Sequence, residues 1–318
     1  MSHYVVDGVG FCAFMDRWAE QCRLLCCADT GSIARQREFS FDRDIISKML
    51  SPERRPLSKA ASRMFFVPSL AADLLAWISP EWRGRILSFF AAMGNVEAHV
   101  FHVSKESLED VRRSLSCFVP SDIRLSDNDL IASLASMTIV SGQHKATSGG
   151  ILSRLMSVGS RILGRNKAAR DHVTFLIADM RHRLGIENSG YTGNCAMSQL
   201  VVNSLQRMQA PSTLEAHAQV ACRVRAAVRD FDSPYISQFV DSMSKQPSCF
   251  TRPLVYAITH PDKVFISNQS RFPLYKPDFG FGIPAWVSPI PHSALNFVKI
   301  LPVHPTQTGY NIHVTTKA

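Results

Sequence analysis

A histidine at position 3, an aspartate at position 7 and a glycine directly after it, in "SHYVVDGVGF", form the first group in the chain with the means to do chemistry. An imidazole titrates near neutrality, so His3 can take a proton from a hydroxyl or amine as that group attacks a carbonyl. A carboxylate four residues on can shape the local turn or hold a cationic partner. Behind it, Phe11, Phe14, Met15, Trp18 and Cys22 recur at three- and four-residue spacing, which predicts an amphipathic helix with that face on a core. His3 is then expected at a strand-to-helix bend with its ring toward a cleft. Gly8 and Gly10 would let the helix start lie close against another backbone. Taken alone, the pattern also suits a histidine on an ordinary surface.

Other elements must bring partners to this point. "VEAHVFHVS" alternates apolar and polar residues and predicts a strand. Ser104 is placed to cap a helix through "KESLEDVRRSL", with Glu106 in its first turn. Ser126 and Asp129 stand at capping-box spacing before a helix whose expected buried stripe is Leu130, Leu134 and Met137. "HVTFLIADMR", His172 to Arg181, reads as an apolar strand ending in charge, followed by the turn "GYTGN". Ala196 to Met208 and Leu214 to Phe231 read as helices, and "KVFISNQ" as a strand carrying Ser267. "PDFGFGIP" reads as a glycine-rich loop, and the chain ends in a hairpin whose loop holds Pro305 and Gly309. Short helices are expected from Ser69 to Ile78 and Glu81 to Ala92. Asp29 to Ser62 is expected as surface loop, and Gly142 to Arg170 as an inserted basic surface segment.

"SHYVVDGVGFCAFMDRWAE", "DMRHRL…GYTGN" and "SRFPLYKPDFGFG", in that order, resemble the BAHD acyltransferase family, especially its fungal members related to trichothecene acetyltransferases. The resemblance runs over nearly the whole chain. It implies an α/β fold with mixed sheets, the two-domain chloramphenicol acetyltransferase-like architecture. Residues 1–95 would be a remnant of the N-terminal acyltransferase domain plus a crossover segment, and residues 96–318 the C-terminal acyltransferase domain. Most of the N-terminal domain's sheet would be missing, because family members carry a long segment ahead of the histidine motif.

The resemblance also assigns roles. His3 matches the general base, and Asp7 a structural carboxylate that pairs with an arginine, Arg181 first and Arg183 second. Gly193 and Asn194 match a turn lining the solvent channel. Asp278, Phe279, Gly280 and Gly282 match a structural loop away from the reacting groups, with Phe281 in place of its usual tryptophan. Ser267 aligns with a Ser/Thr that steadies an oxyanion; as a residue by itself it reads first as a plain strand serine. Gln269 stands where many relatives have tryptophan. The implied activity is transfer of an acyl group, acetyl first, from acyl-CoA to a hydroxyl or amine of a small secondary metabolite, with no bound cofactor or metal. The alternatives are a non-catalytic remnant or interaction protein of the same fold, and a condensation-domain-like activity served by a carrier protein.

Bulk composition narrows the classes. Apolar residues at 46% against 19% charged describe a chain that buries a core rather than a disordered one. The net charge of +9 comes without a basic block interleaved with aromatics, so nucleic acid is not expected, whereas a basic surface suits an anionic co-substrate. The basic residues Arg154, Arg161, Arg165, Lys167 and Arg170 would be one place to meet its phosphates. The eight cysteines form no CxxC pair, which reads as free thiols without a zinc site. No signal peptide and no span are seen, and the expectation is a cytoplasmic monomer.

Overall fold

The computed structural model describes residues 6–26, 39–62, 78, 96–147, 171–209, 213–245, 263–289 and 296–317. His3, the helices expected at Ser69 to Ile78 (apart from Ile78) and Glu81 to Ala92, and the basic residues from Arg154 to Arg170 lie outside the described residues.

The chain order is α1 (Gly8–Cys26), α2 (Asp44–Lys48), α3 (Lys59–Ala61), β1 (Val96–Val103), α4 (Lys105–Leu115), α5 (Asp127–Thr147) and β2 (Asp171–Asp179). It continues with α6 (Arg181–Leu184), β3 (Ala196–Ser204), α7 (Leu205–Met208), α8 (Leu214–Asp230), α9 (Ser233–Ser244), β4 (Val264–Asn268), β5 (Asn296–Pro302) and β6 (Tyr310–Lys317). The six strands form a mixed sheet in the order β1-β6-β5-β4-β2-β3. The β2–β4 and β4–β5 pairs are parallel and the others antiparallel.

Strand pleating sends alternate side chains to opposite faces. On one face Leu176, Val201, Val264, Ile266, Val298, Ile300 and Ile312 pack against Leu108 and Leu115 of α4, Leu130, Met137 and Val140 of α5, and Ala218, Val220 and Val224 of α8. On the other face Phe175 stacks on Phe265 at 4.2 Å, and Phe265 on Phe297 at 6.0 Å. Phe231, Tyr235, Ile236 and Phe239, from α9 and the turn before it, complete this second core.

Local chemistry explains most of the boundaries. Ser104 Oγ accepts from the Ser107 amide and starts α4. Asp129 accepts from both the amide and the hydroxyl of Ser126, at 2.7 and 2.9 Å, which ties the entry to α5. Asp232 caps α9 through the Tyr235 amide at 3.0 Å, with proline in the first turn. This helix went unread in the sequence, although "DSPY" is a helix start.

Five expectations are corrected. Asp29 to Ser62, expected as surface loop, carries α2 and α3 in its described part, with Ala61 buried and Ile45, Ile46, Leu50 and Leu57 packed against the second core. Ala196 to Ser204 is a strand, and only Leu205–Met208 is helical. Nine residue pairs with β2, from Asp171↔Ser204 to Asp179↔Ala196, decide this, because pairing along a whole buried strand outweighs local preference. Residues 142–147, expected in a surface insertion, continue α5. Within α5, Leu134 is 49% exposed while Leu130 and Met137 are buried. The packed face also takes in Ser133, Ser136 and Val140, and so turns away from Leu134. In α1, Phe11, Phe14 and Trp18 are exposed, and the buried positions are Gly10, Cys12 and Ala19. At Gly10 the helix lies directly against the Thr192 carbonyl, which leaves no room for a larger side chain on that face.

Candidate functional site

Asp7 caps α1. Its Oδ1 accepts from the Gly10 amide at 3.0 Å, and a negative charge at this end is favoured by the helix dipole. Its Oδ2 accepts from the Cys195 amide at 2.8 Å. Arg181, which opens α6 just after β2, donates to both oxygens, at 2.8 and 3.2 Å. The same guanidinium donates to the carbonyls of Tyr191 and Gly193, at 3.1 and 2.6 Å, and to Asp179 Oδ1 at 2.9 Å. All five donors that an arginine possesses are thereby used.

Asp7 and Arg181 are both 4% exposed. A buried ion pair holds when hydrogen bonds satisfy every remaining lone pair and proton, as they do here. Burial acts to lower the Arg181 pKa, but the bonds and charge of Asp7 outweigh it and hold it above its ordinary value. Arg183 lies elsewhere, its guanidinium 4.9 Å from the Phe231 ring centre.

The approach of α1 to the 190–195 turn explains its glycine. A Cβ on Gly10 would sit 2.0 Å from the Thr192 carbonyl oxygen. Gly193 is buried, with its carbonyl on Arg181, while Asn194 is exposed and its Oδ1 accepts from the Ala196 amide at 3.3 Å. Cys195 beside it is fully buried, and burial pushes its thiol up to about 12, so it is no nucleophile.

Ser267 is buried near the end of β4, and its Oγ accepts from Gln269 Nε2 at 3.2 Å. The register sets Ser267 opposite Ile177, two residues before Asp179, so Ser267 and the Asp7–Arg181 pair share one end of the sheet. The loop leaving β4 returns to α1, where the Phe272 ring lies within 2.5 Å of where a Gly8 Cβ would stand. The same loop then docks along the helix. Lys276 meets Asp16 at 2.5 Å, Phe279 meets the Trp18 ring edge-on at 5.4 Å, and Arg23 donates to the Asp278 carbonyl.

Asp278 folds the loop on itself. Its Oδ1 accepts from the amides of Gly280 and Gly282, at 2.8 and 2.9 Å, and these bonds, that of Gly280 foremost, hold its pKa below the usual carboxylate range. Gly280 and Gly282 have φ of +105° and +94°, which side-chain-bearing residues rarely adopt. The loop therefore braces α1 and places no titrating group in the buried cluster.

Sequence reasoning missed Asp179, the Tyr191 carbonyl and the Cys195 amide as parts of the arginine's surroundings. The D-x-R spacing of "DMR" was the available signal for the first; backbone groups leave none. Among the described residues no group of three histidine, cysteine or acidic side chains could hold a metal ion, and no helix is long and apolar enough to cross a membrane.

Residues 160–317 match the Transferase family. No curated protein matches the chain. Among solved structures the chain is similar to F. graminearum TRI101 complexed with coenzyme A and deoxynivalenol, with a TM-score of 0.63 and 14% identity, over 98% of this chain and 61% of that one. F. sporotrichioides TRI101 complexed with coenzyme A and T-2 gives a TM-score of 0.62 at 13% identity, over 98% and 60%. Vinorine synthase gives 0.57 at 14%, over 100% and 58%. These likenesses establish the fold, and the chain spans about three fifths of the length of the structures it matches.

Proposed function

We propose that this chain, BAHD acyltransferase-like in fold and matched by the Transferase family over residues 160–317, transfers an acyl group from acyl-CoA to a hydroxyl or amine of a small secondary metabolite. The observation that carries the reading is the buried Asp7–Arg181 pair. It anchors the chain four residues after His3 to the ends of β2 and β3, at the sheet end that holds Ser267. Asp7 and Arg181 have every hydrogen-bonding capacity engaged in structure, which leaves the proton transfer to His3. Coenzyme A in the TRI101 complexes supports the choice of donor.

In the proposed reaction His3 takes the proton of the acceptor hydroxyl or amine as its oxygen or nitrogen attacks the thioester carbonyl. The tetrahedral intermediate carries its negative charge on the former carbonyl oxygen, where the Ser267 hydroxyl is the candidate donor. Collapse breaks the carbon–sulfur bond, and coenzyme A leaves as a thiolate that takes up the proton held by His3. Acetyl is the acyl group proposed.

The test is release of free coenzyme A from acetyl-CoA in the presence of a panel of hydroxylated and amino acceptors. His3→Ala is expected to lower turnover roughly 10²- to 10⁴-fold, the usual contribution of a general base, with an unchanged melting curve. Equal turnover by the variant removes His3 from the mechanism.

A further inference from the structure

β3 is an end strand of the described sheet, so one of its edges has no strand beside it. In an antiparallel pair every second residue exchanges its backbone bonds with the partner strand, and the others turn N–H and C=O outward. The Met180 amide donates to the Cys195 carbonyl at 2.9 Å, in line with the β2–β3 register, so Cys195 belongs to the bonded set. Counting on by twos, Leu200 and Val202 belong to the outward set. Arg223 agrees with this count, donating to the Val202 carbonyl at 2.8 Å.

A cavity of about 340 Å³ lies along this edge. One wall is α8, which runs opposite in direction to β3: Arg223 meets Val202, while Gln199 Nε2 donates to the Ala227 carbonyl at 3.2 Å. Arg223, Ala226, Ala227 and Asp230 line the cavity from a single helical stripe. The two alanines leave the hollow, and the charged residues stand at its two ends, about 10 Å apart at 1.5 Å of rise per residue. Arg223 donates to a carbonyl and pairs with no carboxylate among the described residues. At the other end the Asp230 carboxylate has Arg229 Nε only at 4.0 Å, and the neighbouring Arg55 is taken up by Asp232.

The floor holds polar groups that the fold leaves unsatisfied. Val201 packs in the first core and Leu200 in the second, so Gln199 faces α8 and Tyr235 lies on the opposite side of the strand. Both line the cavity. Gln199 is 6% exposed, and its Oε1 has no hydrogen-bond partner. Tyr235 is 3% exposed, and its hydroxyl closes no hydrogen bond although Ser58 stands near it. Buried polar atoms without partners favour a ligand that supplies them.

We infer that this groove binds a short extended peptide as an added strand. The peptide runs parallel to β3, with its C-terminal carboxylate on Arg223, its ammonium toward Asp230, and backbone bonds to the outward groups of Leu200. Three extended residues span about 10 Å at 3.3 Å each, which matches the separation of the charged ends. Their side chains alternate between the faces and reach Gln199 on one and Tyr235 on the other, so hydroxyl- or amide-bearing residues are favoured. The groove begins four residues along β3 from Cys195, roughly 13 Å from the Asp7–Arg181 cluster, and is independent of the acyltransferase reading.

The experiment follows the backbone amide NMR signals of the isotope-labelled full chain during titration with the tripeptide Thr-Asn-Thr, its C-terminal amide, and acetate. The tripeptide should move the Leu200 and Val202 signals saturably. The amide form should need roughly 10-fold more for the same shift, the loss expected for one charge-assisted hydrogen bond. Arg223→Met should bind acid and amide alike, and Ala227→Leu, which fills the hollow, should bind neither. Should Ala227→Leu fail to fold, Arg223→Met carries the comparison, since Arg223 is exposed. The inference is overturned if the tripeptide leaves both signals in place, if acetate moves them as far at the same concentration, or if Arg223→Met still prefers the acid. Retained binding by a folded Ala227→Leu also overturns it.

Discussion

Arg181→Ala is the sharpest perturbation of the cluster at the start of α1. It removes a guanidinium that makes five hydrogen bonds, two of them to the buried Asp7 carboxylate. What remains is a buried negative charge held only by the Gly10 and Cys195 amides, with the Tyr191 and Gly193 carbonyls stripped of this donor. Breaking one side of such a pair costs about 3–5 kcal/mol. With an unfolding entropy of about 2.1 cal/mol/K per residue, a cooperative unit of 318 residues loses about 6 °C for 4 kcal/mol. Arg183→Ala is the control: its half-buried guanidinium makes a cation–π contact and one long bond to Val228, for a loss of about 1 kcal/mol. The assay is thermal or urea unfolding of both variants, with Asp7→Ala and the double variant closing a cycle. The double variant should cost less than the sum of the singles by about 1 kcal/mol or more. An Arg181→Ala midpoint no lower than that of Arg183→Ala, or an additive cycle, refutes the account of the pair.

Gly10→Ala should cost about 1–3 kcal/mol, read by urea unfolding, since the new methyl meets the Thr192 carbonyl at 2.0 Å and backbone cannot swing aside; a neutral variant contradicts the packing. Alkylation of the native chain at neutral pH should label exposed Cys26 and Cys117 and spare Cys12 and Cys195, whose thiols burial pushes up to about 11 and about 12; rapid modification of Cys195 argues against its burial. Burial lowers the His217 pKa below 6.5, so the unfolded chain binds this proton more readily. Its contribution is full above 6.5 and is lost as pH falls below that value, so His217→Gln should flatten the fall in melting midpoint between about pH 7 and 5. An identical pH profile rejects this. Asp278→Ala should speed amide exchange at Gly280 and Gly282, whose N–H groups lose their acceptor; unchanged exchange would show the loop held by other means.

How far the fold could be read depended on where its determinants lie. Ser104, Ser126 with Asp129, and the Pro305–Gly309 loop announce their elements in a few adjacent residues, and the structure has those elements there. Ala196–Ser204 has no such local signal against a helix; its nine pairs with β2 make it a strand. The apolar periodicity of α1 pointed to Trp18 and Phe14, but the close backbone approach at Gly10 governs which side faces inward. Asp7 and Arg181, 174 residues apart, come together through motifs whose spacing along the chain carries no geometry. Gln199 and Arg223 gave no sequence signal as parts of one groove, since α8 and the β3 edge meet only in the fold.

The most direct test of the central claim is thermal unfolding of the 318-residue chain against rising acetyl-CoA. An acyl-CoA-dependent transferase must show a cooperative transition that climbs with ligand, by about 2.7 kcal/mol of added stability at a hundred times the dissociation constant. A cooperative transition that acetyl-CoA leaves in place at every concentration contradicts the claim.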